Sequence, residues 1–164
     1  MSELVVRRAS RSDWAAYRAI RLEALLDSPE AYGEIYSEAS AQADGHWQDR
    51  VSNDNRPLYL ALLGDRVVGT LSGGLNDDYP GTLWLYGMFV TAQARGTDAA
   101  PLLMEALADW CRDAGGTSLH LFVNVEQRRA IAFYTKVGFV ETGEVITMHR
   151  DDSLKLQRME WNVG

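Results

Sequence analysis

Two kinds of spacing alternate along this chain. Residues Leu4 to Arg8 read as a short first strand. Ser12 or Asp13 then stands where a helix cap belongs, and apolar positions at Trp14, Tyr17, Ile20 and Ala24 predict a helix to about Leu26. Ser28-Pro29-Glu30 ends it, because the residue before proline avoids helical backbone. A second helical stretch falls near Trp47 to Val51. Two strand-like runs follow, 57–63 and 66–74, and Gly64-Asp65 between them signals a two-residue hairpin. Residues 77–81 read as a loop, and 81–90 is apolar on both faces, as a central strand is. Gly87 interrupts that strand and predicts a bulge or a close backbone approach.

Residues 98–114 return to helical spacing, with Leu103, Leu107, Trp110 and Cys111 on one face. Pro101 fits because it falls in the first turn, and Gly115-Gly116 stops the helix. A buried strand over 118–123 precedes a helix over 127–137, whose apolar face is Ala130, Phe133 and Val137 and which closes at Gly138. Two strands, about 139–148 and 154–162, complete the chain. The hairpins favour antiparallel pairing, and the strand-helix-strand step over 81–123 favours a parallel pair with a right-handed crossover. The expected architecture is α/β (α+β): a mixed, mostly antiparallel sheet of six to seven strands with helices on both faces. Neighbouring parallel strands that meet after a bulge are expected to splay and open a ligand slot.

Composition narrows the function classes. The chain has 164 residues, 46% hydrophobic and 24% charged, which suits a single globular domain over 1–164. Acidic residues outnumber basic ones, 23 to 16, for a net charge of -7. That sign disfavours nucleic acid and anionic membrane as partners and is compatible with an amine substrate. The one cysteine cannot form an internal disulfide, and the first ten residues lack a signal-peptide pattern, so a cytoplasmic location is expected. The three histidines are dispersed without metal-ligand spacing, and no metal site is expected. His120, mid-strand, reads as a packing residue, as does Cys111 on its apolar face. Trp14, Trp47 and Trp110 read as core anchors.

Two segments carry the chemistry. In 88–107 a strand ends, Arg95-Gly96 turns the chain, and a helix begins. Free amides and the helix dipole at such a start favour phosphate. In 124–144, Tyr134 lies near the end of a short helix, off its Ala130/Phe133/Val137 stripe, as a half-buried packing tyrosine would. Together these segments resemble the GNAT superfamily of acyl-CoA-dependent N-acetyltransferases. Val90, Arg95, Gly96 and Ala100 fit the first signature of that family. Leu121, Val123, Ala130, Tyr134, Gly138 and Phe139 fit the second.

The resemblance implies an acyltransferase that moves an acetyl group from acetyl-CoA to an amine. It implies that amides of Arg95, Gly96, Thr97, Asp98, Ala99 and Ala100 hold the pyrophosphate. Backbone groups of Met88, Phe89 and Val90 would pair with the pantetheine arm, Asn124 and Gln127 would lie beside the cofactor, and Tyr134 would be the general acid. An amide near Phe89 or Val90 would support the oxyanion. Three positions depart from the family. Asp98 replaces the usual fourth-position glycine. It is expected either to cap the following helix, competing with the pyrophosphate, or to turn outward, and its side chain tolerates left-handed backbone. Gln127 replaces the usual Asn. Trp84 stands where many members carry a strand acid, so no base is assigned. Glu34, Asp77 and Asp78 are candidates beside the acceptor, with Tyr86 and, less directly, Tyr32 and Tyr36 as walls. Arg128 and Arg129 are read either as phosphate contacts or as a solvated face. The alternative function is a protein of this fold that binds acyl-CoA or another ligand with little turnover. A homodimer through the exposed last strands is compatible with the pattern.

Overall fold

The apolar alternation of the strand runs is realised in seven strands: β1 (Leu4–Arg8), β2 (Leu58–Leu63), β3 (Arg66–Leu75), β4 (Leu83–Val90), β5 (Ser118–Asn124), β6 (Val140–Met148) and β7 (Asp151–Asn162). They form one sheet in the order β1-β2-β3-β4-β5-β7-β6 in a computed structural model that describes residues 3–164. The β4–β5 pair is parallel and the other neighbours are antiparallel, as the hairpins and the single crossover predict.

Five α-helices flank the sheet: α1 (Trp14–Asp27), α2 (Tyr36–Ser40), α3 (Asp44–Val51), α4 (Ala99–Asp113) and α5 (Arg128–Val137). The start of α1 differs from expectation. A single turn over Arg11–Asp13 precedes it, and neither Ser12 nor Asp13 caps α1 directly. Instead the Asp13 carboxylate reaches backwards, accepting from the Ser10 amide at 2.8 Å and from Arg7 at 2.8 Å. The five-residue α2 has no counterpart in the sequence reading, because so short a run lacks a measurable period.

Each face of the sheet carries its own core. On one, Leu103, Leu107 and Cys111 of α4 pack with Leu71, Leu119 and Met159 of the strands, all fully enclosed. On the other, Tyr17, Ile20 and Leu25 of α1 and Trp47 of α3 pack with Leu58, Leu60 and Phe89. Burying one such leucine or isoleucine contributes about 1.5–3 kcal/mol, which is why both helical layers hold. Trp47 is a core anchor as expected, whereas Trp14 and Trp110 are only partly buried.

The functional feature of the fold is a gap. β4 and β5 pair only at Leu83↔Leu119 and Trp84↔His120. Beyond Trp84 they separate, because β4 bulges: Thr70 pairs with Phe89 and Ser72 with Tyr86, leaving Leu71 opposite both Gly87 and Met88. Gly87 adopts φ +60, a left-handed conformation that side chains resist. The bulge bends β4 away from β5 and leaves its far edge without a strand partner.

Candidate active site

A cleft of about 1220 Å³ opens where β4 and β5 part. Residues that line it come from the end of β4, the loop over 95–100, the inner side of α5, the end of β5, the β6–β7 hairpin, and the acceptor-side elements α1, α3 and residues 32–34.

At the β4 end, Met88, Phe89 and Val90 all face the cleft. The Met88 carbonyl accepts a hydrogen bond from the Tyr32 hydroxyl at 2.8 Å. The Val90 carbonyl accepts one from Arg95 Nε at 3.2 Å. The Arg95 guanidinium folds back from the loop, pairing with Asp27 at 3.0 Å. Asp27 is held below its ordinary pKa by the Ser28 hydroxyl and then by Arg95.

In the loop, Arg95, Gly96, Thr97 and Ala100 line the cleft, whereas Asp98 and Ala99 do not. Gly96 takes the left-handed conformation, φ +81. Asp98 has φ -78 and ψ 4, so a glycine is not required there. Its carboxylate makes no capping hydrogen bond, and the exposed residue borders a separate recess with Leu4, Leu63 and Val68. The outward alternative is the one that occurs. Thr97 does the local work instead, its hydroxyl accepting from the Ala99 amide at 3.3 Å and donating to the Ala94 carbonyl. Ala99 is fully enclosed. Pro101 has no N–H, and the Leu102 amide bonds Asp98. Gly96 and Ala100 therefore supply the cleft-lining amides without a backbone partner among the described residues.

Tyr134 differs most from its expected packing. It is the buried residue of α5, while Ala130, Phe133 and Val137 are only partly buried. Ala130 and Phe133 line the cleft, so solvent reaches them there. The Tyr134 ring packs between Phe133 and Phe139, each 5.6 Å away, and the residue borders the cleft. Burial, and then Tyr32 nearby, push its pKa above the ordinary tyrosine value, so it is protonated at any physiological pH.

Asn124 and Gln127 both line the cleft, but the Asn124 amide is engaged: it donates to the Glu30 carbonyl at 3.0 Å and accepts from the Glu126 amide at 2.9 Å. It ties the end of β5 to the turn over Pro29–Ala31. Of the two arginines opening α5, Arg129 borders the cleft and Arg128 does not.

On the acceptor side, Glu34 accepts from Arg21 at 3.0 Å, and the Tyr86 hydroxyl donates to the Leu75 carbonyl at 3.3 Å. Burial raises the Tyr86 pKa. Asp78 lines the cleft; Asp77 and Tyr36 do not. Trp84 is fully enclosed and stacks on Phe122 at 5.1 Å, so its strand position holds no acid. His120 is buried beside Arg158 and Ser118, with its pKa lowered by burial, as a packing histidine is. No metal-ligating cluster occurs among the described residues.

Arg21 and Arg50 line the cleft although the sequence assigns them no site role, and Tyr32 lines it as one of the expected tyrosine walls. Tyr32 is buried, its pKa pushed up to about 12, and its ring lies under the Arg21 guanidinium at 4.9 Å. The available signal was the α1 spacing: Tyr17 and Arg21 stand four residues apart, hence on one helical face.

Comparison with known proteins agrees with this geometry. A family model described as the acetyltransferase (GNAT) family matches residues 18–139. N-acetyltransferase 8 of Rattus norvegicus is 30% identical over 97 residues, covering 57% of this chain and 44% of that protein. N-acetyltransferase 8 of Mus musculus is 32% identical over 90 residues, 53% of this chain and 40% of that protein. The matches thus span less than half the length of these relatives. The structure of an N-acetyltransferase from Staphylococcus aureus Mu50 superposes with a TM-score of 0.81 at 21% identity, covering 99% of this chain and 100% of that one. A Salmonella typhimurium structure solved with its cofactor acetyl-CoA superposes at 0.78 with 19% identity, covering 99% and 95%. At these identities the likeness is one of fold.

Proposed function

The chain belongs to the GNAT acetyltransferase family, and from that premise we propose that it transfers the acetyl group of acetyl-CoA to a primary amine. The observation that carries this reading is the open β4 edge beyond Trp84, flanked by the Gly96 turn and faced by Tyr134. The unpartnered strand edge suits an extended amide-bearing chain, which adds to a sheet as a further strand. Pantetheine is such a chain. The Gly96 and Ala100 amides at the start of α4 suit a pyrophosphate, with Arg129 across the cleft as a further cation.

In this reading the amine attacks the thioester carbon directly. A backbone amide at Phe89 or Val90 steadies the developing oxyanion, an effect worth about 3–4 kcal/mol per donor in comparable sites. The thiolate leaves as the amine loses its proton, and the Tyr134 hydroxyl hydrogen-bonds the departing sulfur. Its raised pKa makes outright transfer to a thiolate of ordinary pKa, about 8.5, uphill at rest. Tyr134 therefore keeps its proton and stabilises the departing sulfur as a hydrogen-bond donor, and the proton the amine loses goes to a separate base. Glu34 is the carboxylate placed to receive that proton, directly or through water, because Trp84 cannot. All of 1–164 acts as one catalytic unit in the cytoplasm, where the reduced Cys111 fits. The exposed Val140 and Val145 of edge strand β6 are where a homodimer would form.

The second reading, an acyl-CoA binder with little turnover, is favoured by one observation, the absence of a strand acid at Trp84. Calorimetry with acetyl-CoA, followed by thiol release across an amine panel, separates the two. Micromolar binding with amine-dependent thiol release is expected. Binding without release on any amine leaves the second reading, and no binding removes both.

A further inference from the structure

Arg50 is a cation without a counter-ion at the acceptor end of the cleft. It projects from α3, lines the cleft and is largely withdrawn from water. Its guanidinium donates to the Ser72 hydroxyl at 2.8 Å and to the Arg56 carbonyl at 3.1 Å, and it lies over the Tyr17 ring at 5.8 Å. Among the described residues no carboxylate lies within ion-pairing distance of it. Two other arginines of the cleft are paired, the half-buried Arg21 with Glu34 and the exposed Arg95 with Asp27, while Arg56 and Arg129 are exposed to solvent. Burial lowers the pKa of Arg50, and the nearby Arg56 and Arg21 charges push it the same way. Tyr17 favours the charge, but burial outweighs it, so the charge is held at a cost that hydrogen bonds and one ring offset only in part.

We propose that Arg50 binds a carboxylate on the acceptor, so that the substrate is an amino acid rather than a simple amine. The inference rests on the acetyltransferase reading and specifies its acceptor. A guanidinium has five donors in a planar fork that matches a carboxylate in two-point contact, and only two of Arg50's donors are engaged within the protein. The position is right for such a substrate. Ser72, which anchors the guanidinium, pairs in register with Tyr86, the residue before the Gly87 bulge. Tyr86 to Met88 is about 7 Å of strand, so anion site and reacting end fit within one small molecule. Glu34 and Asp78 line the same end and suit the ammonium form before it is deprotonated.

The test uses the full chain. α-Amino acids and ω-amino acids from glycine to 6-aminohexanoate are each compared with the amine lacking the carboxylate. Binding is titrated by calorimetry with CoA present, and turnover is read as thiol release. The acids are expected to exceed their plain amines at least tenfold in affinity or kcat/KM. Arg50→Lys, which keeps charge but not the fork, is expected to lose at least fivefold on the acids, with plain amines and acetyl-CoA affinity within twofold. Arg50→Gln is expected to abolish the preference, and Arg50→Lys still decides the matter if Arg50→Gln does not fold. Equal use of acids and amines, binding of no acid, or a parallel loss on both classes in Arg50→Lys overturns the proposal. Failure of the wild type to bind acetyl-CoA would sink the acetyltransferase reading instead, and the acid titrations would still decide Arg50.

Discussion

Tyr134 is buried against Phe133 and Phe139 and borders the cleft. A tyrosine so placed packs through its ring and leaves one group for chemistry. Tyr134→Phe keeps the ring and removes only the hydroxyl. It is expected to lower kcat at least tenfold while the acetyl-CoA Kd stays within twofold; unchanged turnover would remove the hydroxyl from the mechanism. Asp98 makes the opposite point. Asp98 is exposed, borders the recess beside Leu4 and Leu63 and caps nothing, so Asp98→Gly should change acetyl-CoA affinity by less than twofold. A tenfold gain in calorimetry would show that the carboxylate does oppose the pyrophosphate. At this scale the sequence motifs named most of the residues that meet at the cleft. They underestimated the burial of Tyr134, because it depends on Phe139, which lies beyond the end of α5.

Bulged strands and helix starts show how single residues act through an element. Gly87 lets β4 bend, and a Cβ added there would lie 3.3 Å from the Arg21 guanidinium that holds Glu34. Gly87→Ala should cost about 1–2 kcal/mol of stability through its left-handed φ. It should also cut kcat/KM at least tenfold, because the β4 edge and the Arg21–Glu34 pair move together. Loss of stability with full activity would separate the bulge from catalysis. At the start of α1, Asp13 is held at about 2, below the ordinary 3.8, first by its hydrogen bond to Arg7 and then by the Ser10 amide. A depressed carboxylate stabilises the fold above the unfolded value and stops doing so as pH falls through the folded one. Asp13→Asn should therefore cost about 1 kcal/mol in urea melts at pH 7. The gap to wild type should close between pH 4 and pH 2; a gap constant with pH would mean packing, not charge. Gly87 was legible as a bulge because glycine inside an apolar strand has few other reasons to be there. The backward reach of Asp13 and the five-residue α2 were not legible, since both depend on where the chain already lies.

Across the whole molecule, two separate cores sit on opposite faces of one sheet, and the cleft enters where β4 and β5 stop pairing. The parallel pair and the splay followed from hairpin turns and one crossover, which are local rules with global consequences, whereas the place of β7 between β5 and β6 did not. What did not follow was which acceptor-side elements close the cleft, since α1, α3 and residues 32–34 meet it only through tertiary packing. That geometry predicts a strong link between cofactor and stability. A ligand along the open edge would touch β4, the loop before α4 and the inner side of α5, joining parts the sheet connects by only two residue pairs. Binding to the folded state alone adds about 2.7 kcal/mol at a hundredfold excess over Kd. For a chain of 164 residues that corresponds to a rise in Tm of roughly 5–10 °C. The backbone amide of Val90, which points away from β3, should gain hydrogen-exchange protection in the same titration, since the ligand would supply the strand partner it lacks. A Tm rise without that protection would put acetyl-CoA at some other surface, and the β4 edge would lose its role as the pantetheine track.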